Sequence, residues 1–259
     1  MLASGSSGNA LLVRGPQGTL LIDAGLGLKD LGRRLAEAEC DPEELAAVLV
    51  THEHGDHVGG AGALARRLGL TVWLSAGTAA GSGRQWRGGE KLAAVRDGDE
   101  FHAAGIDIEA WACPHDACEP LQFGFRAGGA SLAVCTDLGH ATPEVERRLS
   151  GRHLLVLEAN HDRERLLAGP YPWFLKKRIL GAQGHLSNQQ SAELLGRVAG
   201  PDLRAVVLGH LSRENNRPEL ALAAAAVELE RAGRGDLPVH VAEQDKPGLW
   251  IDVFSGRTC

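Results

Sequence analysis

Thr51 to Gly60 reads THEHGDHVGG and directly follows an apolar run, AAVLV, that ends at Val50. Three histidines and two acids fall within its first seven residues. Neutral imidazoles and carboxylates are borderline to hard ligands that suit zinc, manganese or iron. Without a cation, His52, His54, Asp56 and His57 crowded on one turn would repel or desolvate one another. A strand alternates its faces every two residues, so His52 and His54 point the same way as the chain leaves the sheet. Asp56 and His57 then lie on a glycine-flanked turn, close enough to reach a second ion beside the first.

One cluster does not complete two coordination shells. The remaining ligands are sought where other apolar runs meet turns: His115 in ACPHD, Asp137 in AVCTDLG and His210 in VVLGHLS. A carboxylate with two oxygens, such as Asp137, can bridge two ions, while His115 and His210 would complete one shell each. Scattered histidines (His102, His140, His153, His240) read as solvated or hydrogen-bonded side chains.

These residues have to be positioned by strands. Apolar periodicity predicts a hairpin of ALLVR and TLLIDAG across a GPQG turn, helices around 28 to 38 and 61 to 68, and the strand AAVLVTH between them. TVWLS, IDIEAWAC, LQFGFRA, SLAVCTD and LLVLEAN follow as strands with little helix between them. A helix near 188 to 199, the strand AVVLGHL, an alanine-rich helix from about 218 to 232, and closing strands PVHVAE and LWIDVF complete the pattern. Strands with helices in both halves suit stacked sheets covered by helices, an α/β or α+β arrangement. Acids and histidines gather at the carboxyl ends of strands, where open sheets collect ligand sites.

A chain of 259 residues, 44% apolar, can bury a full core, and no linker composition divides it. We expect one domain over residues 1–259. No run of 18 apolar residues and no basic leader precede the first strand, so a soluble, cytoplasmic protein without membrane contact is expected. Five cysteines (Cys40, Cys113, Cys118, Cys135, Cys259) at irregular spacing fit reduced thiols better than a disulfide framework.

The form of THEHGDH resembles the His-x-His-x-Asp-His signature of the metallo-β-lactamase superfamily. LIDAGLG, His115, Asp137 and His210 fall in the order of its later motifs. The resemblance implies a four-layer αββα sandwich with a dinuclear site, Zn2+ or Mn2+ with Fe2+ as an alternative. By that pattern His52, His54 and His115 hold one ion, Asp56, His57 and His210 the other, and Asp137 bridges them. SGSSGNA, EANHD, GPYPWFLKKRI, GHLSN and HLSRENN are similar to segments of the YycJ/WalJ subgroup, regarded as 5′-to-3′ exonuclease-like phosphodiesterases. LLVLEAN and GHLS also resemble segments of ribonuclease Z, although Leu157 and Asn160 depart from its pattern.

The implied reaction is metal-assisted hydrolysis of a DNA or RNA phosphodiester by a metal-bridging hydroxide. Asp56 would ligate an ion and could take the nucleophile's proton. His185 would donate to a phosphate or leaving oxygen, oriented by Glu158. Further candidates for substrate contact are Ser7 and Asn9 in SGSSGN, His161, Lys176, Lys177, Arg213, and Ser187 with Asn188, which read first as a helix N-cap. Residues 160 to 217 carry nine basic against five acidic side chains, so that segment is +4 and the rest −10. Phosphate attraction can therefore be local on a chain of net charge −6. Tyr171, Trp173 and Phe174 could stack on bases or belong to the core. Two other readings use the same fold: a glyoxalase II-like thioester or lactone hydrolase, and a non-catalytic regulatory protein. A mononuclear iron oxygenase is a remoter one.

Overall fold

The computed structural model describes residues 1–258, so Cys259 lies outside the described residues. The chain divides into two compact units. The first takes in residues 1–112, 117–128 and 243–250, the second residues 113–116, 129–242 and 251 onward.

In the first unit β1 (Leu11–Gly15) and β2 (Gly18–Ile22) form the expected antiparallel hairpin. Helix α1 (Leu28–Glu37) crosses to β3 (Leu45–Leu49), which lies parallel to β2. A single turn, α2 (Gly55–Val58), and α3 (Ala61–Leu68) lead to β4 (Thr71–Leu74). Helix α4 (Ala76–Gly81) leads to β5 (Lys91–Ala94) and completes a sheet of order β1-β2-β3-β4-β5. Leu21, Val48 and Val72 from its middle strands share one buried core with Leu31 and Leu35 of α1 and Leu64 of α3. The 3.6-residue period of the helices and the burial of the strands thus point at the same core. β6 (Glu100–Ala103), β7 (Ile106–Ala112) and β8 (Leu121–Ala127) follow as an antiparallel meander.

In the second unit β9 (Ala130–Cys135), α5 (Pro143–Leu149), β10 (Leu154–Glu158), α6 (Arg163–Ala168) and α7 (Trp173–Ile179) come first. α8 (Asn188–Val198), β11 (Ala205–Gly209), α9 (Pro218–Arg231) and β12 (Val239–Val241) follow. The four strands are parallel in the order β12-β11-β10-β9. Every residue of β10 and β11 is buried, the mark of parallel strands covered on both faces. Helices α8 and α9 pack on one another.

Two expectations are corrected. LWIDVF is not a strand: Ile251 makes only an isolated bridge to Thr258. Trp250 is instead an anchor, its indole N–H donating 2.9 Å to the Ala38 carbonyl with the Arg14 guanidinium 4.4 Å over the ring. The stretch between β4 and β10 also contains more regular structure than expected, namely α4, β5, β6 and α5. The described cysteines are thiols rather than disulfides. Among the described residues no helix is long and apolar enough to cross a membrane.

Candidate active site

In the first unit the parallel pairing of Ile22 with Leu49 brings the ends of β2 and β3 side by side. Asp23, the next residue after β2, has a left-handed backbone (φ 59°), a costly conformation away from glycine. It turns the carboxylate back onto β3. Asp23 Oδ1 accepts from the Thr51 backbone N–H (2.8 Å), and Oδ2 accepts from Thr51 Oγ1 (2.9 Å) and from His57 Nδ1 (2.7 Å). With Nδ1 donating to a carboxylate, His57 keeps its lone pair on Nε2, the orientation a metal-binding imidazole needs. That lone pair faces the Asn9 side-chain amide at 3.0 Å, and Asp56 Oδ2 lies 3.6 Å away.

The two other histidines of the turn also converge. His52 Nε2 and His54 Nδ1 are 2.9 Å apart with their rings edge-on, and Thr51 Oγ1 lies 3.0 Å from the other nitrogen of His52. β3 ends at Leu49, so the convergence comes from the extended turn beyond the strand rather than from strand alternation itself. Glu53 turns elsewhere and accepts from the Cys118 backbone N–H at 2.7 Å. The segment around Asn9 braces the turn, since Asn9 N–H donates to the Asp56 carbonyl at 2.7 Å and Asn9 Oδ1 accepts from Gly5 N–H at 2.8 Å. Gly25 of LIDAGLG is required here, because a Cβ at that position would sit 1.7 Å from the Asp56 carbonyl oxygen. Ser7 is exposed, its N–H bonded to Gln244 Oε1 at 2.9 Å.

In the second unit the carboxyl ends of β9, β10 and β11 are neighbours and present Asp137, Glu158 and His210. Asp137 (φ 55°) and His210 (φ 56°) are again left-handed, so all three strand-end turns that present Asp23, Asp137 and His210 bend the same way. Glu158 is fully buried and organises the group. Its Oε1 accepts from His185 Nδ1 (2.7 Å) and His210 Nδ1 (3.0 Å), and its Oε2 accepts from the backbone N–H of Leu138 (3.0 Å) and Leu186 (2.9 Å). Burial alone would raise its carboxyl pKa, but the charge and hydrogen bonds of His185 and His210 outweigh burial and hold it far below the carboxylate range. The same pairing works on His185: burial pulls its pKa down, and Glu158 with Asp137 carries it above the ordinary imidazole value.

Asp137, Glu158, His185 and His210 each offer a ligand atom within 4.8 Å of the others. His115, after β7, donates from Nδ1 to the Gly184 carbonyl at 3.2 Å, which leaves its Nε2 as the lone-pair nitrogen, 3.9 Å from Asp137 Oδ1. Burial lowers its pKa and favours the neutral, ligating form. This donor set fits a divalent cation. The imidazoles are fixed with their Nδ1 atoms spent on oxygen acceptors, and buried carboxylates stand beside them to carry the opposite charge.

The remaining candidates occupy varied roles. His161 is buried, neither ring nitrogen has a hydrogen-bond partner among the described residues, and burial takes its pKa down to about 4. Ser187 is the N-cap of α8 in a capping box with Gln190. Asn188 pairs its amide reciprocally with Asn216 at 2.8 Å in both directions. Lys176 is buried and its Nζ donates to the carbonyls of Leu167 and Gly169, both at 2.7 Å. Lys177 and Arg213 are exposed. His102, His140 and His153 bond to Asp107, the Ala182 carbonyl and Ser131 respectively, as solvated or structural histidines do. Sequence reasoning passed over Asp23, Thr51 and Asn160, whose Nδ2 holds the His210 carbonyl at 2.9 Å. An acid at the end of the strand LLID was the one signal available for Asp23.

Comparison with known proteins adds four findings. Residues 3–210 match the metallo-beta-lactamase superfamily. The chain is 37% identical over 246 residues to exodeoxyribonuclease WalJ of Streptococcus pneumoniae, covering 91% of this chain and 89% of the relative. It is 35% identical over 244 residues to exodeoxyribonuclease YycJ of Bacillus anthracis, covering 91% and 90%. Among solved structures it superposes on the metallo-beta-lactamase fold protein YhfI of Bacillus subtilis with a TM-score of 0.70 at 16% identity, covering 93% of this chain and 94% of that one. At that identity the likeness shows a shared fold, the αββα class of α/β architecture that the sequence resemblance implies.

Proposed function

Because the chain belongs to the metallo-beta-lactamase superfamily, in the subgroup of WalJ and YycJ, we propose that it is a metal-dependent phosphodiesterase that degrades DNA from a 5′ end in the cytoplasm. The observation that carries this reading is the Glu158 hub, which spends the Nδ1 protons of both His185 and His210 on one buried carboxylate. Two histidines are thereby aimed by one acid, one as a metal ligand and one for the substrate.

In this reading His52, His54 and His115 hold one divalent ion and Asp56, His57 and His210 a second, with Asp137 shared. Zinc and manganese both suit these N and O donors. When bound, the ions supply charge neutralisation for an anionic ester and Lewis acidity. The rest is done by the chain's own residues. Asp23 and the Gly184 carbonyl keep His57 and His115 in the tautomer that carries the lone pair on Nε2. Asp56, only partly buried, accepts a proton from the attacking water. His185, whose side chain keeps 20% of its surface exposed, gives a proton or hydrogen bond to the departing oxygen. His161 lies within electrostatic reach of Glu158 and His185, and in this reading it contacts the substrate together with Ser7, Asn9, Ser187, Asn188, Lys177 and Arg213. Lys176 supports the substrate path indirectly, through the loop it fastens. We read residues 1–259 as one domain, a reading supported by a superfamily match over residues 3–210 that enters both compact units.

The test is a digestion of end-labelled single- and double-stranded DNA and RNA in zinc or manganese. Release of labelled mononucleotide from the 5′ end, abolished by a chelator and restored by added metal, is expected. A protein that leaves every polynucleotide intact while hydrolysing a thioester would overturn the reading.

A further inference from the structure

Helix α7 carries the sequence WFLKKRI, and its burial separates into two faces. Lys176 is buried and Leu175 and Ile179 are partly so. Trp173 (57% exposed), Phe174 (74%), Lys177 and Arg178 face solvent. Positions 173 with 177 and 174 with 178 are each four apart, so two aromatic rings and Lys177 form one outward stripe beside Arg178, which is tied to Asp116. Lys177 Nζ lies 5.8 Å from the Trp173 ring centroid. Large aromatic surface is rarely left in water on a soluble domain without a partner.

The stripe is held in place and connected to the chemistry. Lys176 Nζ clamps the carbonyls of Leu167 and Gly169, which fastens the turn that delivers Trp173. At the other end of α7 the Ile179 carbonyl accepts the backbone N–H of His185 at 3.0 Å, and Arg178 pairs with Asp116, the neighbour of His115. One continuous piece of backbone therefore runs from the proton-donating histidine to the exposed rings.

We infer that the α7 face is a stacking platform for single-stranded nucleic acid, Trp173 and Phe174 taking successive bases and Lys177 a backbone phosphate. This rests on the phosphodiesterase reading and adds where the strand lies beyond the reacting bond. Alternating ring and cation is the chemistry of sequence-tolerant single-strand binding: every base has a π-face and every linkage a charge. The location in the +4 segment of an otherwise acidic chain favours an anionic occupant, and the exposed rings beside Lys177 favour one whose bases can stack.

The experiment uses the metal-replete full chain and a labelled, cleavage-resistant phosphorothioate single strand of about 16 nucleotides, followed by fluorescence anisotropy. The double variant Trp173→Ala/Phe174→Ala is expected to weaken binding by about tenfold for each ring, with Trp173→Phe restoring most of the loss. Raising the salt should weaken wild-type binding, and Lys177→Ala should flatten that dependence. Equal affinity of wild type and double variant, in a protein that still degrades DNA, would overturn this inference and leave the enzymatic reading standing. A wild type that neither binds nor degrades any polynucleotide sinks both. Loss of self-association or of binding to anionic vesicles in the variant, with oligonucleotide affinity intact, assigns the face to a protein or lipid partner and likewise overturns the inference.

Discussion

His185→Ala is expected to lower hydrolysis of a DNA phosphodiester by about 10²- to 10⁴-fold while the protein keeps its metal. The argument rests on geometry. Glu158 Oε1 accepts the hydrogen bond of Nδ1 at 2.7 Å, which holds the ring, and the side chain keeps 20% of its surface exposed. Charge supports it as well, because burial lowers the imidazole pKa less than Glu158 and Asp137 raise it, and a protonated ring is ready to give its proton away. A proton donor matters most when the departing alkoxide is a poor leaving group. The loss should therefore shrink on an activated aryl diester, whose leaving group needs no proton. An equal loss on both substrates, together with a lowered metal content, would make His185 a ligand instead.

Glu158→Gln is expected to be nearly as damaging and for a different reason. The wild-type carboxylate accepts four hydrogen bonds, two from imidazoles on one oxygen and two from backbone N–H groups on the other. An amide has one acceptor oxygen, so whichever way it turns, its NH₂ points at two donors. Leaving buried donors unmatched costs about 3 kcal/mol, which should appear as a lowered unfolding midpoint. Where the NH₂ faces the imidazoles, His210 also loses the contact that fixes its tautomer, and disturbances of that kind weaken metal binding about 10- to 100-fold. Competition with a chromophoric chelator reads that affinity, and a variant with wild-type affinity and midpoint would show that other contacts orient His210.

Much of this was legible in the sequence, and the reasons are specific. The metal-ligand candidates were visible because His52, His54, Asp56 and His57 are dense enough to be unfavourable without a cation, and because His115, Asp137 and His210 each follow an apolar run. Helices α3, α8 and α9 were predicted almost to the residue, since their apolar periods are long or sharply bounded by glycine or proline. β5 and β6 were missed because they are mostly exposed and carry little apolar alternation. α6 and α7 were missed because six or seven residues hold too few turns to show a period. LWIDVF misled for the opposite reason: it is almost wholly apolar and β-prone, yet Trp250 is fixed by Ala38 and Arg14, not by a ladder.

Glu158 was legible as the acid behind His185, but the other supporting contacts were hidden for a more general reason. Asp23 lies 34 positions before His57, and Glu158 lies 52 before His210, so neither pairing has a local signal. Nor does any residue type announce that Asp23, Asp137 and His210 take up left-handed backbone at strand ends. Lys176 illustrates the limit of charge counting. It sits in a basic run, yet its ammonium is spent on two carbonyls, and the outward face of the helix is left to its neighbours.

The most direct test of the account is the metal content of the purified chain after equilibration with zinc or manganese and removal of excess ion. Two ions per chain are predicted, falling toward one in His52→Ala and in His57→Ala. A wild-type protein that saturates with a single ion, or keeps its full complement when either histidine is replaced, would contradict it.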